Sequence, residues 1–166
     1  MFNRILVPTD FSPASDAALV YAHILAAQFG ASLQLLHVVD DPGASSDFVA
    51  DGAAPAAGGV REELLTHARE RLAHVLGVAD RGHFHTSADA VLGMAAPAIV
   101  DYAKATAASL IVMGTHGRTG LAHLIMGSVA EHVVRTAPCP VLTVRQAGVV
   151  DEAGVPVLNY RLQMQA

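Results

Sequence analysis

The chain has 166 residues, 52% of them hydrophobic and 15% charged, and carries a formal net charge of −5. That length suits one domain with a sizeable core, and the apolar content excludes disorder over most of it. Its ten basic residues, Lys104 and nine arginines, are scattered, so no basic patch exists for a nucleic-acid backbone or a membrane surface.

The first element is "RILVPTD", Arg4 to Asp10, an apolar run that predicts a buried strand ending at Pro8. Ser12 is then placed to cap a helix whose first residue is Pro13, where the missing N–H costs nothing. Val20, Tyr21, Ile24 and Leu25 follow at helical spacing, and Gly30 closes the helix. "SLQLLHVVD", Ser32 to Asp40, is the second strand, and Asp41 to Gly59 is loop by composition. A helix is expected over Val60 to Gly77, with Leu64, Leu65, Ala68, Leu72, Val75 and Leu76 on its apolar side. A short third strand is expected near His83 to Thr86, then a helix from about Pro97 to Ala107. "SLIVMG", Ser109 to Gly114, is the fourth strand, Ser128 to Thr136 the fourth helix and "CPVLTVR", Cys139 to Arg145, the fifth strand.

Strand and helix alternate throughout, which implies parallel strands with right-handed crossovers. The near-continuous apolar strands imply burial on both sides. The fold class is therefore α/β: a doubly wound, open five-stranded parallel sheet with helices on both faces. Residues 147–166 stand outside it as a C-terminal extension. There Leu158, Tyr160, Leu162 and Met164 alternate with Asn159, Arg161, Gln163 and Gln165, the period of a strand with one wet face. Its apolar row needs either the chain's own sheet edge or another subunit, unless the terminus is simply frayed.

Between the fourth strand and the fourth helix lies "GTHGRTGLAHLIMGS", residues 114 to 128. Ligands of open parallel sheets bind beyond the strands' carboxyl ends, and this segment leaves such an end. Glycines at 114, 117 and 120 allow backbone N–H groups to converge on an anion. The helix start at Gly127, Ser128, Val129 and Ala130 offers further amides and a partial positive charge. Two donor clusters nine residues apart suit a polyphosphate, and the Ser128 hydroxyl suits a phosphate oxygen or a metal.

That segment matches G-x2-G-x9-G-[ST], and with "RILVPTDFS", "LLHVVD" and "VAEHVVRTAPCPVLTV" in order it resembles the ATP-binding branch of the universal stress protein family over residues 1 to 146. The resemblance implies strand order 3-2-1-4-5, with ATP across the ends of strands one and four. It implies that Pro8, Thr9 and Asp10 border the nucleoside and that Val38, beside His37, reads the adenine edge. It further implies that Gly114, Gly117, Arg118, Gly127, Ser128 and Val129 hold ribose and phosphates, with Met113 and Gly120 as further nucleotide-binding residues. A Mg2+ ion bridging the phosphates suits this site because that metal needs few protein ligands. Pairing into a homodimer or higher homo-oligomer through Pro140 to Val144 is a further implication. One departure is "GMAAP", Gly93 to Pro97, longer than the usual glycine-proline turn.

The expected function is an ATP-binding cytoplasmic stress-response protein in which nucleotide controls conformation or oligomerisation. The alternative is a slow ATPase or an adenylate-transferring enzyme. Against efficient catalysis, no G-x-x-x-x-G-K-[ST] supplies a lysine to the terminal phosphates. "MFNRILVPTD" is not a secretory signal, no apolar run nears the roughly 20 residues of a membrane span, and the lone Cys139 fits a reducing cytoplasm. Cys139 lacks a neighbouring base and reads as a structural thiol. The nine histidines, including His83 with His85 and His67 with His74, form no compact zinc cluster.

Overall fold

The computed structural model describes residues 2–41, 57–79, 85–115 and 126–145. The elements in chain order are β1 (Arg4–Pro8), α1 (Pro13–Phe29), β2 (Ser32–Val39), α2 (Ala57–Ala79), β3 (Thr86–Leu92), α3 (Ala95–Ala105), β4 (Leu110–Gly114), α4 (Ser128–Thr136) and β5 (Val141–Val144). All strand pairings are parallel, and the sheet order is β3-β2-β1-β4-β5. This is the expected doubly wound architecture.

Side chains alternate across the sheet, which divides the core. Ile5, Val7, Leu33 and Val112 face α1, where Ala18, Ala22 and Ala26 form a fully buried stripe. Alanines at i, i+4 spacing bring that helix close to the sheet. Leu35 and Ala90 take Ala68 and Leu72 of α2. On the opposite face Leu6, Leu36, Ile111 and Met113 pack against Ile99, Ala103, Ala130 and Val133 of α3 and α4. Cys139 joins that cluster, and burial pushes its thiol pKa up, away from reactive thiolate.

The ends of α1 are as expected. Ser12 accepts a hydrogen bond from the Ser15 amide, Pro13 opens the helix and Gly30, at φ 65°, closes it. Three expectations move. The third strand is Thr86–Leu92 instead of residues 83–86. "TSADAVL" holds few strong strand formers, but its ladder with β2, from Leu33↔Thr86 to Val39↔Leu92, supplies the backbone bonds, so tertiary pairing overrides propensity. His85 accordingly precedes the strand, and His83 lies outside the described residues. Helix α2 starts at Ala57, inside the expected loop, and runs past Gly77 to Ala79; glycine's helix cost of about 1 kcal/mol does not stop a helix held by Ala68 and Leu72. Helix α3 starts at Ala95 and ends at Ala105. Pro97 thus sits in its first turn, where a missing N–H leaves no bond broken. Gly93, at φ 146°, turns the chain there, its amide bonded to the Val39 carbonyl at 2.9 Å.

Arg61 makes a two-pronged bond to Asp41, both N···O distances 2.9 Å, tying the end of β2 to the start of α2. The expected tail strand and residues 116–125 lie outside the described residues.

One polar trio crosses the layers on the α3 face. The Gln34 amide donates to the Tyr102 hydroxyl at 2.7 Å, and that hydroxyl donates to Asp89 at 3.1 Å. Burial, helped by the Asp89 charge and hydrogen bond, raises the Tyr102 pKa from 10.0 to about 12. A folded-state pKa above the unfolded one means stability that is fully present below pH 10.0 and fades as pH rises toward 12. A Tyr102→Phe protein should therefore show a flatter decline of the urea midpoint across that window than the parent, and parallel declines would contradict the assignment.

Candidate functional site

A cleft forms where β1 stops short of its neighbours. The β1–β2 ladder ends at Pro8↔Leu36, and the Thr9 amide donates to the Leu36 carbonyl at 2.8 Å. Beyond that point β2 pairs only with β3, through Val38↔Val91 and Val39↔Leu92. Strand β4 pairs with β1 at Leu110 and Ile111 but continues beside β5 to Gly114↔Val144. Both neighbours overhang β1 at their carboxyl ends, and the strand order reverses between β1 and β4. The result is a cavity of about 360 Å³ at the switch point.

Pro8, Thr9 and Asp10 line its β1 side, His37 and Val38 its β2 side, and Met113 and Gly114 its β4 side. Gly127, Ser128 and Val129 line it from the start of α4. Ten of the thirteen residues singled out from sequence thus border one space; Gly117, Arg118 and Gly120 lie outside the described residues.

The β1–α1 turn is tightly bonded. The Thr9 hydroxyl accepts from the Phe11 amide at 3.0 Å and lies 3.1 Å from the Ser15 hydroxyl. Asp10 accepts from the Ser12 amide at 3.1 Å. Phe11 has φ 61°, a conformation uncommon for a bulky residue. Its ring is held by His37, with centroids 4.5 Å apart, and by the Arg71 guanidinium 3.8 Å from the ring centre. His37 Nδ1 is 2.7 Å from the Thr9 carbonyl oxygen; a carbonyl only accepts, so Nδ1 carries the proton. Asp16 nearby has a raised pKa, through burial first and the Asp10 charge second.

At the facing wall, α4 begins at an N-cap glycine with no side-chain cap. An α-helix leaves its first-turn amides without intrahelical partners, here those of Ser128, Val129 and Ala130, and all three residues line the cavity. Two expectations change. The Gly127 amide donates to the Thr115 carbonyl at 2.7 Å, so it is engaged within the protein and the donor set is one smaller. Gly114 is required by packing: a Cβ there would lie 2.9 Å from the Ala14 carbonyl carbon and 3.0 Å from its Cβ and oxygen. Its missing side chain admits the first turn of α1, while the residue still lines the cavity.

Further lining residues were not singled out as site residues: Ser15, Leu36, Asp40, Ala95, Ile99 and Thr115. Asp40 had a signal, since "HVVD" ends β2 with an acid much as "VPTD" leaves β1. Ala95 was hidden by the late start assigned to α3. Among the described residues, no group of three His, Cys, Asp or Glu side chains could hold a metal, and no helix is long and apolar enough to cross a membrane.

Comparison with known proteins agrees with the topology. The model of the universal stress protein family matches residues 1–145. Universal stress protein MJ0531 of Methanocaldococcus jannaschii is 36% identical over 149 residues, covering 88% of this chain and 84% of that protein. Universal stress protein UspA from Lactobacillus plantarum has a similar structure, with TM-score 0.74 and 28% identity over 87% of this chain and 98% of that one. A universal stress protein solved in complex with cAMP superposes with TM-score 0.58 and 25% identity, covering 87% and 98% of the two chains. With the strand order 3-2-1-4-5, a family match that spans the whole described sheet and a relative 36% identical over most of both chains, this chain belongs to the universal stress protein family.

Proposed function

We propose that residues 1–146 form a nucleotide-binding domain that takes ATP in the cleft between β1 and β4, and that occupancy controls conformation or assembly. The observation that carries this is the bare first turn of α4, whose amides at Ser128, Val129 and Ala130 sit behind a glycine cap at the cavity wall. Such a helix start favours a phosphate group. The cavity volume of about 360 Å³ falls within the range of small-molecule sites, about 300–1,000 Å³. That a relative was solved in complex with cAMP supports an adenine nucleotide as the ligand class. In this reading the β1 turn and the overhanging edge of β2 take the nucleoside, with Pro8, Thr9, Asp10, His37 and Val38 as its border. The α4 start takes the phosphates, together with Gly117, Arg118 and Gly120. A magnesium ion would be held chiefly by the phosphates, since that metal needs few protein ligands. The edge of β5 is the surface through which copies would pair in a cytoplasmic setting.

A hydrolytic reading rests on Asp10, which lines the cavity; its Oδ1 already accepts from Ser12, which favours a positioning role over activation of water. Protein purified gently and then denatured should release an adenine nucleotide detectable by mass spectrometry in near-stoichiometric amount. Release of none, with no uptake when ATP is added, would contradict the proposal. Sustained phosphate release that is lost in Asp10→Ala would instead favour the enzyme.

A further inference from the structure

We infer that Arg71 of α2 is a positioning residue for the nucleoside wall of the cleft: it holds the Phe11 ring, and that ring holds Thr9, Asp10 and His37 in place. The inference rests on the reading of the cleft given above. It assigns a role at the site to a helix that contributes no residue to the cavity lining.

The wall depends on a turn that the backbone resists. After the bond from the Thr9 amide to Leu36, the chain leaves the sheet. It then closes on itself, the Phe11 amide donating to the Thr9 hydroxyl and the Ser12 amide to Asp10. That closure leaves Phe11 at φ 61°, left-handed and costly for a residue with a bulky side chain. Glycine would take the position freely. An aromatic residue stays there only where its surroundings hold it, so the contacts of the ring decide whether the turn keeps its shape.

Those contacts come from two elements. Phe11 packs against the cluster of Leu35, Ala68 and Leu72. The Arg71 guanidinium carbon is 3.8 Å from the ring centre, within the range of a cation–ring attraction. Ala68, Arg71 and Leu72 stand at i, i+3 and i+4 on α2, and so share one face of it. Ala68 and Leu72 are buried and apolar, whereas Arg71 is exposed and charged. His37 of β2 is the link onward. Its ring lies 4.5 Å from that of Phe11, and its Nδ1 donates to the Thr9 carbonyl at 2.7 Å. The contacts therefore run from Arg71 through Phe11 and His37 to Thr9, all on the side of β1 and β2. The start of α4 forms the facing wall, so loosening the ring should weaken the hold on a nucleoside and spare the phosphates.

The experiment uses the intact chain and three variants. Arg71→Met keeps an apolar stem beside the ring but removes the charge, and Arg71→Lys keeps a cation. Arg69→Met removes an equal charge from a side chain of the same helix that is 51% exposed and paired with Glu62. Calorimetry should show ATP binding about fivefold weaker in Arg71→Met, the scale of an exposed cation–ring contact. Arg71→Lys and Arg69→Met should stay close to the parent, and inorganic tripolyphosphate should treat Arg71→Met and the parent alike. Without ligand, the Phe11 and Ser12 amides should exchange hydrogen faster in Arg71→Met and not in Arg71→Lys. Parental ATP affinity in Arg71→Met, a parallel loss for tripolyphosphate, or a loss shared by Arg71→Lys or Arg69→Met would overturn the inference and leave the cleft reading standing. Unchanged amide exchange in Arg71→Met would do the same. A parent that binds no ATP overturns both.

Discussion

A Gly114→Ala protein is expected to unfold at a clearly lower urea concentration than the parent. The new Cβ would sit 2.9 Å from the Ala14 carbonyl carbon and 3.0 Å from its oxygen and Cβ. Two of those atoms are backbone in the first turn of α1, so no side-chain rotation relieves the contact. The helix must move off the end of β4, and overpacking of this kind costs about 1–3 kcal/mol. The same turn carries Ser15, which is bonded to Ser12 and stands beside Thr9, so displacement should spread into the cleft wall. Gly59→Ala is the informative control. Nothing lies within 4 Å of a Cβ there and its φ is ordinary, while the residue sits inside α2. Alanine should stabilise that helix by about 0.5–1 kcal/mol. Urea midpoints of the two variants moving in opposite directions is the expected outcome; a neutral Gly114→Ala would mean that α1 does not pack as closely as described.

Ser128→Asp should separate stability from binding. Position 128 is the first residue of α4 and is exposed, so a carboxylate there gains from the helix dipole, about 0.3–1 kcal/mol. The fold should be unharmed or slightly more stable. The same carboxylate would stand where the proposal puts a phosphate, among the amides of Ser128, Val129 and Ala130. Like-charge repulsion there should weaken ATP at least tenfold, which corresponds to about 1.4 kcal/mol. Ser128→Ala removes a hydroxyl without adding charge and should cost less. Thermal melts and equilibrium dialysis on the three proteins check this together; an Asp variant that binds ATP as well as the parent would place the phosphates elsewhere.

The elements most legible in the sequence are those whose local chemistry and tertiary role coincide. Ser12, Pro13 and Gly30 mark α1 as cap, first residue and stop, and "SLIVMG" is buried on both faces, as its continuous apolar run implies. Strand β3 was misplaced because its position depends on the β2 ladder, and alanines at 88 and 90 leave no strong local signal. The start of α2 was hidden by Gly58 and Gly59, which look like loop until the packing of Ala68 and Leu72 is known. In the cleft, the glycine spacing pointed to a strand end that borders the cavity, but not to which glycine serves which purpose. Gly114 answers to Ala14 and the Gly127 amide to Thr115; both relations cross between elements and leave no mark in local sequence. Asp40 and Ile99 border the cavity for the same reason, brought there by the overhang of β2 and by the first turns of α3.

Calorimetric titration of the intact protein with ATP and, in parallel, with adenosine tests the central claim most directly. If the start of α4 holds phosphates, ATP should bind at one per chain, with adenosine at least tenfold weaker. Equal affinity for the two, or no heat with either, would contradict it.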